Sequence, residues 1–260
     1  MSMGLDRLRD VLDEARSFLS MPRGSPLPAR RTQQPAAPIG SPESARRLFA
    51  MARPIFGTIA EAYLRKRGIT ALHETTALRF HARCYYRPHA DAPTEAWPAL
   101  IAAVTDLAGR ITGAHRTWLD RSGNDKAPVD TPRRAMGQLL GHGVRFAIVT
   151  DVTAAGEGIE TMLALRSVLA HLPSVAALSA AHLGALHLPE GLKRLYIACD
   201  NDRAGLDAGL ALAARAISQG IAARLLVPDG KDFNDDLKSF GIASLVQRLR
   251  PHLWRDDQEH

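Results

Sequence analysis

Val152-Thr153-Ala154-Ala155-Gly156-Glu157-Gly158-Ile159-Glu160-Thr161 is an apolar run that stops at a glutamate between two glycines and then turns into helix-forming sequence. The same pattern repeats downstream. The strand expected at Val152–Ala155 leads to a helix through about Ala170, and a second strand, Val175–Leu178, precedes a helical stretch near His182–His187. A third, Leu195–Cys199, runs into Asp200-Asn201-Asp202 and a helix from Ala204 to about Gln219, stopped by Gly220. A fourth, Ala222–Val227, passes through Pro228-Asp229-Gly230 to a last helix over roughly Asp235–Leu249. Strands alternating with helices of about 10–15 residues build right-handed βαβ units around a parallel sheet.

In an open parallel sheet the ligand site lies beyond the carboxyl ends of the strands. Three acidic clusters fall there: Glu157 with Glu160, Asp200 with Asp202, and Asp232 with Asp235 behind Lys231. Carboxylates gathered so closely raise one another's pKa unless a cation neutralises them. Hard oxygen ligands on loops suit Mg²⁺, which usually takes one or two carboxylates, retained waters and a phosphate oxygen. The reading is a magnesium (or manganese) site for phosphoryl transfer. Each cluster also has a plainer reading. Asp202 fits a helix N-cap, Glu160 a first-turn residue favoured by the helix dipole, and Lys231-Asp232 a solvated ion pair.

Upstream, the expected order is a short helix over Leu5–Leu19 (segment 1–20) and a linker over Met21–Pro42 holding six of the sixteen prolines. A helix then opens at Ser41-Pro42, with serine as N-cap and proline at the first helical position. Another, around Ile59–Lys66, ends at Gly68. Residues 75–150 read as strand-rich, with apolar runs at Leu78–Phe80, Ala99–Thr105, Ile111–Leu119 and Val144–Val149. The expected division is a basic α+β subdomain at 43–150, a parallel α/β domain at 151–250 and a tail at 251–260.

Charge separates the two parts. Residues 1–150 carry 22 Lys+Arg against 13 Asp+Glu, whereas residues 151–260 carry 11 against 14. A basic part joined to a slightly acidic one suggests a polyanion gripped by the first and handled chemically by the second. Composition is ordinary for a folded protein, with 46% hydrophobic and 23% charged residues. Aromatics at 5% argue against a single-strand binder built from stacking alone. Cys84 and Cys199 belong to no paired motif, which excludes a disulfide framework or zinc ribbon and fits a reducing, cytoplasmic setting. No apolar run is long enough for a membrane span. His81 with Cys84, and His182 with His187, read as packing or surface residues.

Glu157-Gly158 after the first strand and Asp200-Asn201-Asp202 after the third resemble the Toprim domain of bacterial-type DNA primases, type IA and II topoisomerases and several nucleases. Lys231-Asp232-Phe233-Asn234-Asp235 resembles the acidic loop of primase members. The resemblance implies Glu157 as general acid/base, Asp200 and Asp202 as Mg²⁺ ligands, and Asp232 and Asp235 as further ligands, with Glu160 and Lys231 accessory. Bacterial replicative primases have an aspartate where Thr161 stands, and Glu160 is a candidate substitute. Tyr63–Ile69, Pro98–Thr105, Gly109–Leu119 and Lys126 resemble the primase core's basic subdomain, which implies Arg65, Lys66, Arg67, Arg79, Arg83, Arg116 and Lys126 as the nucleic-acid-binding set.

The resemblance spans about residues 45–250 and is nearest to plasmid- and phage-borne primase-like proteins. The implied function is a primase-like nucleotidyltransferase of a mobile element, acting on single-stranded DNA and nucleoside triphosphates. A separate helicase or template-recognition partner would supply modules that the sequence does not show. A metal-dependent nuclease and a non-catalytic nucleic-acid-binding accessory are the competing readings.

Overall fold

The computed structural model describes residues 40–72 and 75–258; the expected helix at Leu5–Leu19, and the linker as far as residue 39, lie outside them. Among the described residues it is a mixed α/β structure with six α-helices and two five-stranded sheets. No helix among them is long and apolar enough to cross a membrane.

The chain enters through α1 (Pro42–Met51), where Ser41 Oγ accepts from the Ser44 N–H at 3.2 Å and Pro42 occupies the first turn. After β1 (Arg53–Pro54), Thr58 caps α2 (Ile59–Lys66), and Gly68 at φ +77° turns the chain away. The first sheet is antiparallel in the order β1, β2 (Leu78–Tyr86), β3 (Glu95–Thr105), β4 (Ile111–Trp118), β5 (Arg133–Gly137). Neither β1 nor β5 is evident in the sequence. Both are short and polar, and they exist because they pair with β2 and β4.

Strand periodicity decides which residues of this sheet meet the rest of the molecule. One face carries Ile101, Ala103, Ala114 and Trp118 against Ala45 and Phe49 of α1. The other carries Leu78, Leu100, Ala102 and Val104, which share one core with Leu163, Phe233 and Leu237 of the second module. That common core joins the two sheets.

The second sheet has the order β10 (Ala222–Leu226), β9 (Arg194–Ala198), β7 (Val152–Gly156), β8 (Ser174–Ala176), β6 (Val144–Phe146). Four strands are parallel, as expected. The edge strand β6 is antiparallel to β8, although residues 144–149 read as part of the first sheet. It stops at Phe146 because Ala147 takes φ +73°, which breaks the ladder.

Helices α3 (Ile159–Val168), α4 (Ala180–Ala185), α5 (Arg203–Ser218) and α6 (Phe233–Leu249) cover the sheet. Gly241, at φ +73°, breaks the last helix into two segments. The terminal turns Arg250–His252 and Arg255–Asp257 dock on β9, where Tyr196 Oη donates to Asp257 at 2.7 Å and Arg194 pairs with it at 2.8 Å.

Candidate active site at the carboxyl ends of the second sheet

Strands β7 and β9 are neighbours in register, with Gly156 opposite Ala198, so the residues that follow them emerge side by side. This brings Glu157 and Asp200 to one crevice of about 310 Å³. Gly156 is required by packing, because a Cβ there would lie 2.5 Å from Met162 Sδ and 2.9 Å from the Ala198 carbonyl oxygen. Gly205 lets α5 close on the third strand, where a Cβ would stand 2.5 Å from the Asp200 carbonyl oxygen.

The acidic side of the crevice is electrostatically loaded. Burial, then Asp200 and Asp202, push the Glu157 carboxyl up to about 7. Burial, then Asp232 and Asp202, raise Asp200 to about 6, with Lys231 and Arg133 opposing. Asp200 Oδ1 is buried and has no hydrogen-bond partner. Asp202 caps α5 by accepting from the Gly205 N–H at 2.8 Å, and Asp232 caps α6 by accepting from the Asp235 N–H at 2.9 Å. The two loops are tied where the Asn201 N–H donates to the Lys231 carbonyl at 2.8 Å.

Two residues expected here point elsewhere. Asp235 turns outward towards Lys238 at 3.5 Å, because it lies on the first turn of α6 rather than on the loop. Glu160 is buried behind the crevice, where its carboxylate accepts from Tyr63 Oη at 2.7 Å. Thr161 is likewise buried, with its hydroxyl tucked beneath Gly158. Lys231 is exposed on its loop.

Asp200 Oδ1, an orphaned hard oxygen among mutually repelling carboxylates, fits a divalent cation. Asp200, Asp202 and Asp232 are the residues that would hold one. Among the described residues no three Asp, Glu, His or Cys side chains converge into a ready-made metal cage.

The opposite wall comes from the first sheet. His115 pairs with Ala102 and Ala135, and Arg133 with Thr117, so both project from the face turned to the second module. His115, Arg133 and Arg134 line the crevice together with Ser179 and His182. Burial pulls the His115 imidazole down to about 4, so it is neutral at physiological pH. His115 and Arg133 did not stand out in the sequence, because only the alternation of β4 and β5, and the pairing of β5 itself, aim them inwards. Ser179 and His182 come from the start of α4, and Arg134 pairs with Arg116 and donates to the Arg87 and Pro88 carbonyls. Leu178 closes the crevice in a left-handed conformation, φ +80°, with its N–H donating to the Glu157 carbonyl at 2.8 Å.

The basic set expected to bind nucleic acid divides by the same alternation. Arg79 and Arg116 both pair with Ile101, on the α1 side of the sheet and away from the crevice. Arg79 stacks on Phe49 and donates to the Phe49 and Ala52 carbonyls, while Arg116 stacks on Trp118. Arg67 lies over the Tyr63 ring and bonds Asp125 and Asn234, so it is a structural clasp. Arg65 pairs with Glu61, Lys66 donates to Asn124, and Arg83 is exposed on β2. Lys126 is half-buried, and burial lowers its pKa while the Glu160 carboxylate opposes that.

Comparison with known proteins agrees with this architecture. Residues 152–243 match the Toprim domain family, and residues 40–146 match a domain of unknown function, DUF7146. Among solved structures, the chain is similar to a DNA primase domain from Pseudomonas aeruginosa (14% identity, 81% of this chain and 78% of that one, TM-score 0.52). It is also similar to the zinc-binding and RNA polymerase domains of the Aquifex aeolicus primase (17%, 93% and 66%, TM-score 0.55). A third is the RNA polymerase domain of Mycobacterium tuberculosis primase in complex with double-stranded DNA (16%, 80% and 78%, TM-score 0.51). No curated protein matches the chain. Residues 152–243 thus match the Toprim domain, and the fold is similar to that of DNA primase domains.

Proposed function

We propose that the protein is a primase-like nucleotidyltransferase that binds single-stranded DNA and joins nucleotides into short oligonucleotides, in the service of a mobile element. The observation that carries this reading is the juxtaposition, across one crevice, of Glu157 and Asp200 with Arg133. An acidic wall that would hold a metal faces an arginine that would meet a polyphosphate.

Asp200, Asp202 and Asp232 would bind Mg²⁺, which supplies charge neutralisation for a pentavalent phosphorus and its departing pyrophosphate. Glu157, raised to about 7, is poised near operating pH to take the proton of the attacking 3′-hydroxyl. Arg133 would orient the triphosphate, which pre-sets the reacting atoms. The new bond joins the 3′-oxygen to the α-phosphorus, and the α–β phosphoanhydride breaks.

The test incubates the protein with single-stranded DNA, labelled nucleoside triphosphates and Mg²⁺ or Mn²⁺, beside an Asp200→Ala control. Short new oligonucleotides that vanish in the variant are the expected result. Shortened input DNA, again lost in the variant, would replace synthesis with hydrolysis. Neither product would leave a nucleic-acid-binding accessory.

A further inference from the structure

Strand β10 is an edge of the second sheet: it pairs with β9 on one side, and among the described residues no strand pairs with it on the other. The Ala222 N–H donates to the Lys193 carbonyl at 2.9 Å, and the Leu226 carbonyl accepts from the Cys199 N–H at 3.0 Å. Even-numbered residues therefore aim their main chain at β9, and Ala223 and Leu225 aim theirs outwards, with Val227 next in phase. A free edge of this kind is a template for another strand, and proteins commonly blunt it with charge. The one charge on β10, Arg224, is engaged elsewhere: it stacks on Trp254 at 4.6 Å and donates to the His252 carbonyl at 3.3 Å.

The helix above this edge is uncovered on the same side. α5 packs on β9 and β10, and its Arg215 guanidinium reaches the Leu186 carbonyl at the end of α4, so that flank looks inwards over the sheet. The opposite flank carries Leu206, Leu210 and Ile217, which recur at helical spacing and overhang the open edge. Leu210 is 57% exposed and Ile217 61%. Ala223 and Leu225 lie on the α5 face of the strand, beneath that ridge. Of the charges between Leu206 and Ile217, Arg215 is on the α4 side and Asp207 faces solvent beside Arg203.

We propose that β10 pairs with β10 of a second copy of this chain, antiparallel about a twofold axis through Leu225, which joins the two sheets edge to edge and closes the two α5 ridges on each other. The register follows from the strand itself. An axis at Arg224 would set two arginines directly opposite, which is destabilising. An axis at Ala223 would need the Ile221 N–H, which already donates to the Ala216 carbonyl at 3.0 Å. An axis at Leu225 pairs Ala223 with Val227 of the second copy, Leu225 with its own counterpart, and Arg224 with Leu226. Every outward N–H then meets a carbonyl, and no charge faces its like. A surface without free charge offers nothing to a charged partner; it matches itself, as a twofold interface requires. The proline-rich sequence between Met21 and residue 39 suits the edge poorly, since each proline lacks an N–H. The paired strands run oppositely, so the two crevices open at opposite ends of the joined sheet and both stay accessible. The proposal therefore stands apart from the chemistry of the crevice.

Sedimentation velocity of the full chain tests it. A short strand and one helix flank make a small interface, so the expected Kd is about 10–100 µM, with the mass doubling between about 1 µM and about 300 µM. Val227→Lys, at a site 46% exposed, and Leu210→Lys should each raise Kd by about tenfold or more, without lowering the Tm of the dilute protein. Leu225→Cys reads the register. Opposite residues of a hydrogen-bonded antiparallel pair have Cα atoms about 5.5 Å apart, a separation that a disulfide spans. Mild oxidation should therefore cross-link Leu225→Cys into a dimer and leave Arg224→Cys, which faces Leu226, uncross-linked. Both native cysteines are buried, so they add no background.

A wild-type chain that stays monomeric at about 300 µM overturns the proposal. So does a dimer that ignores Val227→Lys and Leu210→Lys and does not cross-link through Leu225→Cys, because its contact would lie on another surface. If Leu225→Cys does not fold, the two exposed lysine substitutions decide the matter alone.

Discussion

The side-chain amide of Asn234 donates to the backbone carbonyl of Arg67 at 2.8 Å, and the Arg67 guanidinium returns to Asn234 Oδ1 at 3.4 Å across 167 residues of sequence. Asn234 is 2% exposed, at the start of α6, and Arg67 caps the end of α2. The pair fastens the first module to the loop that carries Asp232, immediately before α6. A helix of the basic part thereby sets where the acidic part ends.

Asn234→Ala is expected to destabilise the protein by about 1–3 kcal/mol, since it strands a buried carbonyl and removes a guanidinium acceptor. Asp125→Ala, which breaks the exposed half of the Arg67 clasp, should cost under about 1 kcal/mol. Denaturant titration of both variants checks the order. A reversed ranking would show that the clasp is held from the surface.

Stability of the metal-free protein should fall as pH rises from about 4 to about 7. Asp200 and Glu157 both have folded-state pKa values raised above their ordinary ones, to about 6 and about 7. The native state therefore binds more protons than the unfolded chain in this window, so stability decreases with pH there. The penalty is absent below about pH 4 and complete above about pH 7. Solvent reaches both groups, which screens the effect to about 1 kcal/mol, or about 2–4 °C in Tm. Asp200→Asn should melt higher than wild type at pH 8 without metal, and Mg²⁺ should raise the Tm of the wild type alone. Thermal melts at pH 5 and pH 8, with and without Mg²⁺, read both.

Arg133→Ala and Arg79→Ala should separate cleanly. Arg133 is exposed at the crevice, so its loss should weaken binding of single-stranded DNA or nucleotide and flatten the salt dependence by roughly one ion. Arg79 stacks on Phe49 at 4.4 Å on the far face, so its loss should lower stability by about 1 kcal/mol and leave the salt slope unchanged. Fluorescence anisotropy over a salt series, beside chemical denaturation, distinguishes them.

Gly205→Ala should impair the site from outside it. The added methyl would meet the Asp200 carbonyl oxygen at 2.5 Å and the Asp200 backbone nitrogen at 3.0 Å. Either α5 retreats or the Asp200 loop shifts, at a cost of about 1–3 kcal/mol. Mn²⁺ affinity should fall with stability in this variant. Gly184→Ala, whose Cβ would meet nothing within 4 Å, is the control and should change neither.

The alternation of strands and helices from Val152 to Leu249, and the three acidic strand ends, were legible because period and turn chemistry are local properties of the chain. The caps at Ser41 and Asp202 and the stop at Gly68 belong with them, since each is decided by a few neighbouring residues. The pairing of Glu157 with Asp200 followed once a parallel sheet was inferred, because adjacent strands deliver their ends to one edge. Other features depended on partners far away in sequence. Nothing near Val144 shows that it will pair with Ala176 rather than extend the first sheet. Asp235 and Glu160 look like their acidic neighbours until helical phase turns one outwards and buries the other against Tyr63.

By itself, then, the sequence determined the βαβ order, the placement of Glu157, Asp200, Asp202 and Asp232 at strand ends, and the basic character of the first module. Only the tertiary structure decided which cations face those carboxylates. Alternation along β4 and β5 sends His115 and Arg133 inwards and Arg116 to the far side, and a core shared by Leu100 and Phe233 holds that face against the crevice. A single-residue step reverses a strand's faces, so the opposing wall depends on register between distant segments.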